Sequence, residues 1–213
     1  MEDNIKNALA SLNKNGFSAF YFANKQEAVD FILQQVEPGS KVAFGGSVTL
    51  GQLSLRESLE EHGINYIDYR REDLSDEERK QVSAEDLKDL SRLSFFADAY
   101  FSSANAITED GLIFNVDGRG NRVAATIYGP NVVYIVVGKN KICLDLPAAY
   151  RRLEEIAAPL NCRRLGKKTP CLKTGQCQDC AAGERICNIY TIMQRQPSGT
   201  KVNVLIIDEE LGY

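Results

Sequence analysis

A single histidine serves the whole chain of 213 residues, and that scarcity removes two chemistries at once. No Ser–His–Asp set is visible, and a catalytic zinc site built on several imidazoles lacks its donors. His62 itself stands before Gly63 at the end of a helical pattern, where it reads as a partner for the helix dipole rather than a catalyst. Long apolar runs are missing too. A run such as Val132 to Gly138 is far too short to cross a bilayer. The opening MEDNIKNALASLNKNG has no apolar h-region, so the sequence predicts no secretory signal and a cytoplasmic location. A basic stripe with interleaved aromatics is absent and the net charge is −4, which argues against nucleic acid as a partner. The short group Arg163, Arg164, Lys167 and Lys168 reads as a solvated loop. No repeat at a fixed period and no low-complexity segment occurs.

What is present is an alternation of helical and extended patterns. Ile5, Ala8, Leu9 and Leu12 give residues 2–14 a helical apolar face that Asn15–Gly16 ends. Phe17 to Phe22 reads as a strand, Lys25 to Val36 as a helix, and Lys41 to Phe44 as a short strand entering Gly45–Gly46–Ser47. A helix then runs to about Glu61, Tyr66 to Tyr69 is extended, and Ser75 to Leu93 is helical with a break near Ser83. Asp98 to Ser102 and Leu112 to Val116 are strands, with a polar loop from Ala104 to Gly111 between them. Asn121 to Tyr128 fits either a short helix or a strand. The apolar run Val132 to Val137 is the best candidate for a central parallel strand, and Pro147 to Leu160 is a helix. Alternation of this kind predicts an α/β fold with a doubly wound, mainly parallel sheet. The rhythm breaks late. Residues 1–163 are expected to form the α/β domain. Residues 164–213 are expected to form a Cys-rich elaboration, a loop plus two late strands packed on the same domain.

Four of the six cysteines, Cys171, Cys177, Cys180 and Cys187, are spaced C-x5-C-x2-C-x6-C. Without a signal for an oxidising compartment, thiols or metal ligands are the favoured reading over disulfides. Four thiolates in one loop poor in apolar side chains suit a metal centre whose ligation orders the segment. Zinc sites usually use two short-spaced pairs and only one x2 pair is present, so the spacing leans to an iron–sulfur cluster, with zinc left open. Cys143, near a strand end, reads as a buried structural thiol, and Cys162 as the weaker candidate for an additional ligand.

Ligands of open parallel sheets sit beyond the carboxyl ends of the strands. Gly45, Gly46, Ser47 and Thr49 offer close backbone approach and a helix N-terminus there, without the fingerprint of a dinucleotide or P-loop site. Gly118, Gly120, Asn121 and Arg122 combine flexible backbone, an amide and a cation, as a carboxylate or phosphate site would. Between them, Asn105 and Thr108 are further candidate contacts, and Glu109 is a candidate base or nucleophile. A small anionic metabolite is the ligand these loops would take.

GGSVT at 45–49, SANAITEDG at 103–111, NVDGRGNRVAA at 115–125 and GPNVVYIVVG at 129–138 resemble the lactate-utilisation (LUD) family. The likeness continues through AAP at 157–159, the cysteine segment and the ending DEELGY. It implies a fold similar to the NagB/RpiA/CoA-transferase-like group. It also implies a place in bacterial oxidation of L-lactate to pyruvate, beside iron–sulfur redox partners. Members from lactate operons often carry AETG where this chain has TEDG, and many lack the cysteine segment. The reading is therefore a component of lactate or 2-hydroxyacid oxidation. Its alternatives are an isomerase- or CoA-transferase-like enzyme using Glu109, and a non-catalytic regulatory or assembly subunit; a homodimer fits any of them.

Overall fold

The computed structural model describes residues 1–67 and 83–213. Its centre is a six-stranded sheet in which every pairing is parallel. The strands are β1 (Ser18–Phe22), β2 (Val42–Phe44), β3 (Tyr66–Ile67), β4 (Ala99–Ser102), β7 (Val132–Gly138) and β10 (Lys201–Ile207), in the order β1-β10-β7-β4-β2-β3. The apolar runs VVYIVV and VNVLII form interior strands, buried on both faces as such runs require. The strand expected at Tyr66 begins there; its continuation to Tyr69 lies outside the described residues, as does the helical pattern from Ser75 to residue 82. Beyond them α5 (Ala84–Leu93) starts on a capping box between Ser83 and Asp86, which accounts for the break expected near Ser83.

Both faces of this sheet are covered. On one, α2 (Lys25–Gln35), α3 (Val48–Gln52) and α4 (Leu55–Glu61) bury Ile32, Leu50, Leu55 and Leu59 in one cluster with Phe44, Phe101, Tyr134 and Leu205. The helix expected to run unbroken to Glu61 is divided because Ser54 takes a left-handed φ of 51°. On the other, α1 (Asp3–Lys14) brings Ile5, Ala8 and Leu12 into a cluster with Val133, Ile135, Val204 and Ile206. Adjacent strand residues thus divide between the two clusters, as a pleated strand demands.

A second sheet lies on the α1 side. Its strands are β5 (Ala106–Thr108), β6 (Ile113–Asp117), β8 (Ile142–Cys143) and β9 (Ile189–Met193), in the order β8-β5-β6-β9. The loop expected at 104–111 therefore contains a strand, too short and too polar in its flanks to show a period of two. Asn121–Ile127 resolves as a helix, α6, whose Ala125 joins the cluster beneath α1. Outermost are α7 (Leu146–Arg152) and α8 (Ala158–Arg164), joined by a π-helical turn at Leu153–Ala157. Pro159 explains that turn. It lacks an N–H, and its ring would clash with the carbonyl four residues back in a regular helix. Ala149, Leu153 and Ala157 pack on Phe114 and Val116 of β6.

The boundary expected at 163/164 does not fall between structural layers. β10 comes from the later segment yet sits between β1 and β7, so the large sheet is incomplete without it. Only the cysteine segment and β9 belong to the outer layer. No helix among the described residues is long and apolar enough to cross a membrane.

Candidate functional site

Strands β2, β4, β7 and β10 point the same way, and the chain leaving each of them reaches one cavity of about 620 Å³. Gly46–Val48 follow β2, Ser103–Asn105 follow β4, Lys141 follows β7, and Tyr213 follows β10. The opposite wall comes from the outer layer: Val116–Arg119 at the end of β6, Asn121 and Arg122 of α6, Asn161 and Arg164 of α8, and Gly183–Ile186 of the cysteine segment. Such a position, beyond the carboxyl ends of parallel strands, is where this class of sheet holds ligands.

Lys141 is the unusual group. It is only 4% exposed, yet its hydrogen-bond partners among the described residues are hydroxyls rather than carboxylates. Its Nζ donates to Thr49 Oγ1 at 2.8 Å and to Ser103 Oγ at 3.1 Å. Burial, and then the positive charges of Arg152 and Arg122, pull its pKa from 10.5 down to about 7. Gly212 covers it: a Cβ there would lie 2.4 Å from Thr49 Oγ1 and 3.2 Å from Lys141 Nζ. Glycine is thus required at 212 by close approach as well as by its φ of +63°.

The two arginines are fixed by backbone. Arg152 is 8% exposed and donates to Asn140 O at 2.9 Å and Asn105 O at 2.6 Å, with burial holding its pKa below the usual guanidinium range. Arg122 donates to Ser103 O, Asn115 Oδ1, Asn105 Oδ1 and Val116 O at 2.6–3.3 Å, and lies 3.7 Å from the Asp117 carboxylate. It ties the loop after β4 to β6, so it contributes charge and shape to the cavity more than open donors.

Of the loop residues singled out in the sequence, Gly46, Ser47, Asn105, Gly118, Asn121 and Arg122 line this cavity. Ser47 also caps α3, accepting from Leu50 N. The others are close or elsewhere. Thr49 stands behind the wall and holds Lys141. Gly45 is a close-packing position, where a Cβ would fall 2.6 Å from the Tyr100 hydroxyl. Gly120, at φ +89°, starts α6. Thr108 is buried in the turn between β5 and β6, where its hydroxyl donates to Asp110 Oδ1 and accepts from Leu112 N. Glu109 is in the same turn. Its Oε2 accepts from Asn7 of α1 at 2.7 Å, and it is not brought to the cavity. TEDG is therefore a docking turn for α1, with Gly111 pressed on the backbone of Ser11 and Leu12.

Sequence reasoning missed Lys141, Ser103 and Arg152. It also placed Arg164 and Lys167 in a solvated loop, whereas both line the cavity because α8 ends against it. One signal was readable: a lysine just after the most apolar strand of a parallel sheet stands where ligands are bound.

The cysteine segment forms the far side of the same wall. Cys171, Cys177, Cys180 and Cys187 line a small cavity of about 20 Å³, and Cys162 of α8 joins them. Arg185 and Ile186 face both cavities. Every cysteine is a free thiol. Thr169 Oγ1 lies 3.1 Å from Cys171 Sγ, and Asp179 N donates to Cys177 Sγ at 3.4 Å. Arg185 clamps the segment by donating to Cys180 O at 2.6 Å and Cys187 O at 3.0 Å. Burial and then Cys162 and Cys177 push the Cys187 thiol up to about 12; burial also raises Cys162, with Cys171 and Cys180 adding to it. As they stand, no three His, Cys, Asp or Glu side chains among the described residues converge closely enough to hold an ion.

A crystal structure of a DUF162 family protein from Deinococcus radiodurans has a similar fold, with a TM-score of 0.52, 12% identity and 96% of each chain covered. No curated protein matches the chain significantly. The LUD domain matches residues 5–207, nearly the whole length, and the chain belongs to the LUD domain family.

Proposed function

We propose that this protein is a component of lactate or 2-hydroxyacid oxidation that binds a small carboxylate metabolite in the Lys141 cavity. The family is linked broadly to lactate utilisation. The observation that carries the reading is the positive potential at the cavity wall: Lys141 and Arg122 line it, Arg152 is buried close to Lys141, and the hydrogen bonds of Lys141 and Arg152 run to hydroxyls and carbonyls. Buried positive charge is costly; Arg122 has Asp117 at 3.7 Å, whereas the hydrogen bonds of Arg152 run to carbonyls, so a ligand carboxylate would offset positive charge that the site leaves uncompensated. Arg119, Arg164 and Lys167 at the rim would draw the anion inward. Titration of L-lactate and pyruvate, followed by thermal shift and calorimetry, tests this. Both should stabilise the wild type, and Lys141→Met should weaken binding at least severalfold; no stabilisation by either acid would sink the proposal.

The second element of the reading is a metal or iron–sulfur centre held by Cys171, Cys177, Cys180 and Cys187. What supports it is that four thiols and Cys162 line a single small cavity, in a segment that Arg185 clamps through the carbonyls of Cys180 and Cys187. Volume discriminates between the candidates. About 20 Å³ is room for one ion-sized sphere, which favours a mononuclear centre over a cluster. Such a centre, when bound, would supply rigidity or an electron relay beside the metabolite site. Elemental analysis and a visible spectrum of anaerobically purified protein decide between them; protein free of metal after reconstitution with zinc or with iron and sulfide would reject both.

A further inference from the structure

We propose that the Lys141 amine condenses with the carbonyl of a 2-oxo acid held in the cavity, giving a covalent imine. The inference rests on the anion-binding reading and adds to it a substrate class and a reacting atom. Lys141 belongs to the cavity wall, and its Nζ is fixed by Thr49 Oγ1 and Ser103 Oγ at 2.8 and 3.1 Å. Those two hydrogen bonds use the N–H groups of a neutral amine and leave its lone pair for a third direction. The surroundings favour that neutral form, since the groups that act on Lys141 most strongly after burial are both cations. Displacement to about 7 leaves a large unprotonated fraction near neutral pH, whereas an ordinary lysine has very little.

The ligand chemistry follows from the same geometry. The field of Arg122, which lines the cavity, and of Arg152, buried close to Lys141, would draw a carboxylate toward Lys141, and the carbon next to it would then approach Nζ. In a 2-oxo acid that carbon is an electrophile; in a 2-hydroxy acid it is not. The step balances without an oxidant or reductant: the nitrogen bonds to the carbonyl carbon, the carbonyl oxygen departs as water, and the two protons of the neutral amine leave with it. Thr49 and Ser103 are positioned to pass those protons between nitrogen and oxygen.

The test treats the full chain with pyruvate and borohydride, which reduces an imine to a stable secondary amine, and reads intact mass and the modified peptide. Wild type should gain one reduced pyruvate adduct, located at Lys141. Lys141→Arg, which puts a permanent cation without a nucleophilic lone pair in its place, should lose it, and Lys141→Met serves as a second variant should the arginine disturb folding. L-Lactate, which has no carbonyl, should give no adduct and should protect against trapping by pyruvate. Absence of an adduct while both acids still raise the melting temperature would overturn the imine and leave anion binding intact. Absence of both would remove the two readings together. Adducts that persist in both Lys141 variants would show reaction of surface lysines only and would equally overturn the proposal.

Discussion

Replacing Lys141 by methionine should change how stability depends on pH, and by a predictable amount. The folded protein holds this amine at about 7 against an ordinary 10.5. Between those limits the unfolded chain carries a proton that the folded chain has released, so folding releases protons and stability rises with pH. Below about 7 both states are protonated and the cost of the buried cation is fully present; toward 10.5 it fades. The slope is about 1.4 kcal/mol per pH unit for one group. Lys141 thus adds roughly 2 kcal/mol to wild-type stability between about pH 7.5 and about pH 9. Methionine fills a similar volume, does not titrate, and leaves Thr49 and Ser103 to bond each other, their oxygens being 3.4 Å apart. Urea unfolding of both proteins across this range, in buffers free of carboxylates and phosphate, gives the difference directly. Subtraction matters because the raised thiols Cys143 and Cys187 favour the folded state less as pH rises, opposing the lysine in either protein. The advantage of the methionine variant should shrink by roughly 2 kcal/mol over this range. Parallel curves would show that Lys141 is charged in the folded protein, and the neutral amine that the imine requires would be absent.

Other outcomes follow from the packing. Gly111→Ala should cost about 3 kcal/mol or more in urea unfolding, because the new Cβ would sit 2.7–2.8 Å from Ser11 and Leu12 backbone atoms at a φ of +81°; a loss below about 1 kcal/mol would mean that α1 is free to shift. Phe114→Ala removes a fully buried ring between the second sheet and α7 and should cost about 3–5 kcal/mol, read in the same way. Cys162→Ser should lower metal content or affinity if the fifth thiol helps to hold the centre, and an unchanged stoichiometry and affinity would confine the ligands to the four cysteines of the segment. Glu109→Gln should leave binding of L-lactate unchanged in calorimetry, since its carboxylate meets Asn7 rather than the cavity.

Much of the large sheet was legible. The unbroken apolar run VVYIVV and the helical spacing of Ile5, Ala8 and Leu12 are local signals that survive into the fold. β5 was not, because three residues between a buried loop and a tight turn carry too few side chains to show alternation. Nor was the position of β10, since pairing with β1 and β7 is a matter of topology that no local pattern encodes. The site divides along the same line. Its glycines and Asn–Arg pair announce themselves, but Lys141 looks like a surface lysine until Gly212 and the loop after β4 close over it. Cys162 joins the other thiols only because α8 runs past the cysteine segment.

The insertion of β10 between β1 and β7 bears on how the chain acquires its shape during synthesis. Until residues 201–207 emerge from the ribosome, β1 and β7 present unpaired backbone edges and the cluster of Val133, Ile135 and Val137 lacks Val202, Val204 and Ile206. A nascent chain already bearing all its cysteines must therefore wait with an open sheet, which makes it slow to close and prone to wrong pairing. Expression together with a holding chaperone should matter more for this protein than its modest size suggests.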